Sequence, residues 1–139
     1  MSGRVIRVTP PRDFYFDGLA DQQSLQVVVA EGIDVTGFDI LDLLVRVHAD
    51  AAIPNGASIE VAVLSDGHTL DDPSRDFFTN PIGVVIFDSN SVPAAGTLRI
   101  ERVDPPLGSM LAVRVKGSRD QTGGNIRARL SVDLVMKTS

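Results

Sequence analysis

The chain has 139 residues, of which 43% are hydrophobic and 22% charged, and a formal net charge of −5. That is the length and composition of one globular domain, which excludes wholesale disorder and collagen-like order. It contains no cysteine. A disulfide framework, a thiolate zinc site and a cysteine nucleophile are therefore excluded, and the chain suits a reducing compartment.

In chain order, the pattern is one of period-two alternation, in which successive side chains take opposite faces of a strand. Val5-Ile6-Arg7-Val8 and Phe14-Tyr15-Phe16 predict two short strands, separated by Pro10-Pro11, a pair expected not to lie inside a paired strand. Leu25, Val27 and Val29 alternate with Gln26 and Val28. Leu43, Val45, Val47 and Ala49 alternate with Leu44, Arg46, His48 and Asp50, which favours strand over helix between Leu41 and Val47. Further strands are predicted at Ile59–Val63 and Gly83–Phe87, at Leu98–Glu101 with Leu98 and Ile100 on one face, and at Leu111–Lys116.

The clearest strand runs from Ile126 to Lys137. Ile126, Ala128, Leu130, Val132, Leu134 and Met136 share one face, while Arg127, Arg129, Ser131, Asp133 and Lys137 share the other. Turn signals separate these runs at Asp17-Gly18, Pro54-Asn55-Gly56, Asp66-Gly67, Asp72-Pro73, Asn80-Pro81, Pro105-Pro106 and Gly123-Gly124-Asn125. The expected fold is all-β: a single antiparallel β-sandwich over residues 1–139, a jelly roll of eight or nine strands.

The opening Met1-Ser2-Gly3-Arg4-Val5-Ile6-Arg7-Val8 has arginines breaking its apolar run, so no signal peptide is expected. No stretch approaches the ~20 apolar residues of a membrane-spanning helix. The expectation is a soluble protein made and assembled in cytoplasm.

Charge is unevenly placed. Residues 1–12 carry three arginines and no acid; residues 13–98 carry fourteen acids against Arg46 and Arg75; residues 99–139 carry eight basic residues and four acids. Either the basic ends lie beside acidic strands within one molecule, or they form a patch that attracts other copies or a charged partner. Nucleic acid is disfavoured as a partner by the acidic pI of about 4.8 and by one tyrosine with no tryptophan.

Residues that could carry chemistry are few. His48 and His68 are the two histidines, and a metal site built on them would need carboxylates; no metal or other cofactor is expected. The run from Asp66 to Asp76 holds four carboxylates that could serve calcium, but it lacks the alternating spacing of a calcium loop and reads as a solvated loop. No Gly-x-Ser-x-Gly elbow and no glycine loop leading into a helix is present, so an enzyme is not expected. Phe77-Phe78 could place one ring at the surface as a protein–protein anchor.

Four segments carry a resemblance in style of strand and turn: Leu43–Asp50, Ser58–Asp66, Gly96–Arg102 and Ile126–Lys137. Together with the cysteine-free, tryptophan-free, acidic composition, they resemble the auxiliary capsid proteins of tailed bacteriophages, which decorate or cement a head or form its spikes. The resemblance implies a non-enzymatic structural protein of the virion. Its partner would be the major capsid protein or another shell protein, and its own state a homo-oligomer, with a trimer favoured. It carries over no binding residue. On charge and exposure, the expected contacts are Arg4, Arg7, Arg127, Arg129, Phe77 and Phe78. Two alternatives stay open: a carbohydrate- or calcium-binding sandwich module, and a subunit of a non-viral protein shell.

Overall fold

The Ile126–Lys137 alternation is where the fold is most plainly dictated by sequence. In the computed structural model, which describes residues 3–20, 22–65, 80–103, 110–120 and 124–139, Ile126, Leu130, Val132, Leu134 and Met136 are completely buried and Ala128 nearly so. Their strand is the last of eight, all antiparallel: β1 (Gly3–Tyr15), β2 (Gln23–Asp34), β3 (Ile40–Ala52), β4 (Ala57–Ser65), β5 (Asn80–Asp88), β6 (Leu98–Arg102), β7 (Met110–Arg119) and β8 (Arg127–Lys137).

Two four-stranded sheets result. The first has the order β1-β8-β3-β6 and the second β2-β7-β4-β5. The pairings β1 with β8, β2 with β7, β3 with β6 and β4 with β5 are nested, and alternate pairs are dealt to opposite sheets. That is the winding a jelly roll requires. Between the sheets, residues of β3, β4, β7 and β8 interdigitate with Phe14, Phe16 and Phe87 in one continuous core. Full burial of side chains of this size is worth roughly 1.5–3 kcal/mol each.

Two expectations are corrected. Val5–Val8 and Phe14–Phe16 are not two strands, because β1 runs unbroken through Pro10-Pro11 to Tyr15. Proline is tolerated here because β1 is an edge strand and the register shifts between Arg7 and Thr9 and again between Thr9 and Arg12. A missing N–H costs nothing where the chain bulges away from its single neighbour. Asn80-Pro81 likewise begins β5 instead of forming a turn, on the edge of the second sheet and beside a register shift at Val63/Leu64.

The pairing of β6 decides which of its two faces turns inward. Its pairing sets Glu101 opposite Leu43 and Arg99 opposite Val45, both core residues of β3. Arg99 and Glu101 therefore take the inner side, at the rim, where Arg99 lies over the Phe87 ring at 5.3 Å. Leu98 and Ile100, the face opposite to these, point out and are 39% and 59% exposed. β4 ends at Ser65 and β5 starts at Asn80; the turn signals Asp66-Gly67 and Asp72-Pro73 fall in 66–79, outside the described residues.

One inward position of β7 has no side chain. Gly117 lies opposite Ile59, and a Cβ built on it would overlap the Phe16 ring. Phe16 is thereby seated in the core through a gap that only glycine leaves. Gly117→Val is expected to expel the ring and lower stability by about 1–3 kcal/mol. In urea unfolding this appears as a lower midpoint with an unchanged slope.

Candidate functional site

The outer face of the first sheet brings together three of the four candidate arginines, since β1 and β8 are neighbours and β8 alternates apolar-in, polar-out. Arg7 lies opposite Asp133 and grips it with two bonds, Nε to Oδ1 at 2.9 Å and Nη2 to Oδ2 at 3.2 Å. Arg127 holds Asp17 at 2.7 and 3.3 Å, and Arg129 holds Asp13 at 3.2 Å. Arg4 stands apart, opposite the inward Met136 near the sandwich edge. The basic ends are thus woven into aspartates of the same molecule, the first of the two readings of the charge pattern.

These pairs are solvent-exposed and bidentate in two cases, a geometry that fixes direction more than it adds stability. The carboxylates of Asp133 and Asp17 raise the pKa of Arg7 and Arg127 through hydrogen bonding and then charge. A raised guanidinium value means that the cation side of each pair is fully charged at every practical pH. Salt, not alkali, is the lever on this face. Asp34 on β2 has its carboxyl held below the ordinary value, first by a hydrogen bond from the Thr36 side chain and then by the Thr36 N–H, which donates at 2.9 Å, with a smaller contribution from Arg4. That contribution is present above pH ~4 and is lost as acid carries the group through its lower folded value.

Further along the face, the ion pairs give way to apolar side chains. Leu44 on β3 lies opposite Ile100, and Arg46 opposite Leu98. Val135 and Val5 form another directly opposed pair on the β1 side, with Val5 67% exposed. Arg102 closes the row by gripping Asp42 at 2.5 and 3.2 Å. At the opposite end, Asp13, Tyr15, Asp50, Arg127 and Arg129 line a cleft of about 170 Å³. Tyr15 is 58% exposed there, with the Arg127 guanidinium 5.3 Å from its ring centre.

His48 and Ser131 meet on the same face, Nε2 to Oγ at 2.7 Å. A serine beside a histidine is two-thirds of a hydrolytic triad, but Ser131 is buried and cannot reach an acyl substrate. The contact satisfies a buried hydroxyl. Among the described residues, no three potential metal ligands converge. His68, the acidic 66–76 loop, Phe77 and Phe78 lie outside the described residues.

The second sheet presents a different outer face. Glu60 receives both Arg114 and Lys116 at 3.4 Å, and Arg114 also donates to Gln26 at 3.1 Å. Beside them Ala62, Leu64 and Ala112 are buried. Sequence reasoning did not find Arg119, which is buried and donates to the carbonyls of Leu19 and Gly124, tying two loops at one end of the sandwich. Nor did it find the outward apolar side of β6. Its three charges in five residues were the available signal, since neither side of such a strand can be wholly apolar.

No protein-family model and no curated protein matches the chain. Among solved structures it is similar to a chain of the infectious bursal disease virus VP2 subviral particle, with TM-score 0.56 and 14% identity over 99% of this chain and 32% of that one. It is similar also to chains of the Gx strain of that virus (TM-score 0.52, 13% identity, 97% and 31% covered) and of the Gt strain (0.50, 12%, 99% and 32%). The chain spans about a third of the length of these viral chains. At such identities the likeness is one of fold.

The two kinds of contact on this face are separable by mutation. His48→Ala is expected to leave the Ser131 hydroxyl unpaired and cost about 1–3 kcal/mol, lowering the thermal midpoint by several degrees. Arg7→Ala, at an exposed pair, is expected to leave it almost unmoved. Thermal unfolding of the two variants followed by circular dichroism checks the contrast.

Proposed function

We propose that the chain is a non-enzymatic structural subunit of a virus particle, and within that class an auxiliary protein of a tailed-bacteriophage head. It decorates or cements the shell through protein–protein contacts with the major capsid protein, is assembled in the host cytoplasm, and is itself a homo-oligomer, with a trimer favoured. The observation that carries this reading is the nested eight-strand winding, a jelly roll, together with the fold likeness to chains of a viral particle.

The surface is that of a part that touches other proteins. On the outer face of the first sheet, apolar side chains sit among ion pairs whose partners are half or more exposed on the arginine side. Such pairs open at little cost and can exchange an internal aspartate for a carboxylate on a shell protein. Arg7, Arg127 and Arg129 are assigned this contact, with Arg4 at the neighbouring sandwich edge as a further cation and Phe77 and Phe78 as anchors. A shell presents its sites in many copies, so individually weak contacts suffice.

A second reading, a carbohydrate-binding module, is favoured by the exposed Tyr15 beside Asp13 and Asp50 in the cleft. Against it, the cleft falls below the ~300–1,000 Å³ usual for small-molecule sites, and Arg127 already occupies a face of the ring. The calcium version would rest on the 66–76 loop; a thermal midpoint unchanged across millimolar calcium removes it.

Native mass by light scattering, at low and high salt, tests the principal reading. The expected result is a trimer or larger species that loosens as salt rises. In Arg127→Gln/Arg129→Gln the thermal midpoint is expected to stay within a few degrees while the assembled species weakens. A monomer at both salts, for wild type, removes the homo-oligomeric part of the proposal.

A further inference from the structure

We infer that β6 is a homotypic contact: it pairs antiparallel, about a two-fold axis through Ile100, with β6 of a second copy. This deepens the shell-subunit reading and rests on its homo-oligomeric part, to which it adds a two-fold contact beside the three-fold one of a trimer. Four strands form sheet edges, and three of them are broken. β1 carries Pro10-Pro11 and two register shifts, β2 carries two register shifts, and β5 carries Pro81 and one. Such breaks are how sheets prevent edge-to-edge pairing. β6 has neither proline nor shift, and all five of its residues are exposed.

Its free edge is set up for a partner. The N–H of Val103 donates to Leu41 O at 2.9 Å, and Thr97 O accepts from Val47 at 2.8 Å. In an antiparallel ladder these residues alternate with ones whose N–H and C=O point away. Leu98, Ile100 and Arg102 therefore aim their backbone groups at open solvent. A second strand centred on Ile100 would exchange bonds at all three positions, about six in total by the antiparallel pattern.

The side chains are self-complementary in that register. In Leu98-Arg99-Ile100-Glu101-Arg102, a two-fold about Ile100 sets Arg99 opposite the partner's Glu101 and Glu101 opposite the partner's Arg99. Both are the close, non-hydrogen-bonded positions, with Cα atoms ~4.5 Å apart. Among the described residues neither Arg99 nor Glu101 has a charged partner of its own. On the outer side Ile100 meets Ile100, extending the Leu44–Ile100 pair into one apolar row across both copies. Opposite charges and apolar pairs directly across strands favour association, and like charges oppose it. A self-complementary patch is what a two-fold contact demands. Five residues bury less than the ~1,200 Å² of a tight interface. The contact is therefore weak alone and effective when repeated in a shell.

Sedimentation velocity of the full chain, from about 10 to 500 µM at low salt, tests this with four proteins: wild type, Arg99→Glu, Glu101→Arg and the double swap. Each single reversal sets like charges opposite each other at both symmetric positions, and is expected to weaken self-association at least about tenfold. The double swap restores opposite charges and is expected to return it to within about threefold of wild type. Ile100→Lys, at an exposed position that leaves the fold intact by circular dichroism, is expected to abolish it. Wild-type association that is indifferent to the single reversals overturns the β6 contact and leaves assembly to another surface. A wild type that stays monomeric throughout overturns both the contact and self-assembly, leaving attachment to a foreign shell protein as a separate question.

Discussion

Everything in this structure depends on β8 having two neighbours. It pairs with β1 on one side and β3 on the other over nearly its whole length, and its inner side chains from Ala128 to Met136 are buried. Joining the first strand to the last closes the nested winding, and joining the last to the third makes one sheet out of two nested pairs. The same strand decides what the outside looks like. Because side chains alternate with strict period two, burying five apolar residues forces Arg127, Arg129, Ser131, Asp133 and Val135 outward. The ion-pair ladder is the reverse side of the core.

That coupling explains why the basic ends do not amount to a free positive patch. Antiparallel pairing of the termini brings Arg7 to Asp133, and Arg129 to Asp13, as direct cross-strand neighbours. Charges that look segregated along the chain are neutralised in space. What remains to attract a partner is alternation of sign with apolar side chains between, a pattern that selects register and orientation more than it adds affinity.

Most of the fold was legible in the sequence because most of its strands are half-buried. β3, β4, β7 and β8 announce themselves by alternation, and Gly18 after β1 and Gly56 between β3 and β4 mark turns with the positive φ that they require. The edges were less legible. Pro10-Pro11 and Asn80-Pro81 signal breaks, yet a strand with one neighbour can carry a proline at a bulge, and position in the sheet is a property of topology. The same limit hid the outward turn of Leu98 and Ile100: alternation gives two faces and is silent on which faces the core. The arginines were identified as surface residues, but their aspartate partners are over a hundred residues away in sequence for Arg7, Arg127 and Arg129.

The two sheets end up unequal. The second has Ala62, Leu64 and Ala112 buried on its outer side, and its charges gather on Glu60. The first leaves Val5, Leu98 and Ile100 open and the second Leu25, Val28 and Ile86, so the difference lies in what surrounds them: on the first sheet, ion pairs between single arginines and aspartates. In the proposed function, the outer face of the first sheet is where this protein meets others. Hydroxyl-radical footprinting of the assembled and the dissociated protein reads that face residue by residue. Assembly is expected to protect Val5, Leu98 and Ile100 while Val28 and Ile86, exposed on the second sheet, stay as reactive as before. Protection of Val28 and Ile86 with the first sheet unchanged would contradict it.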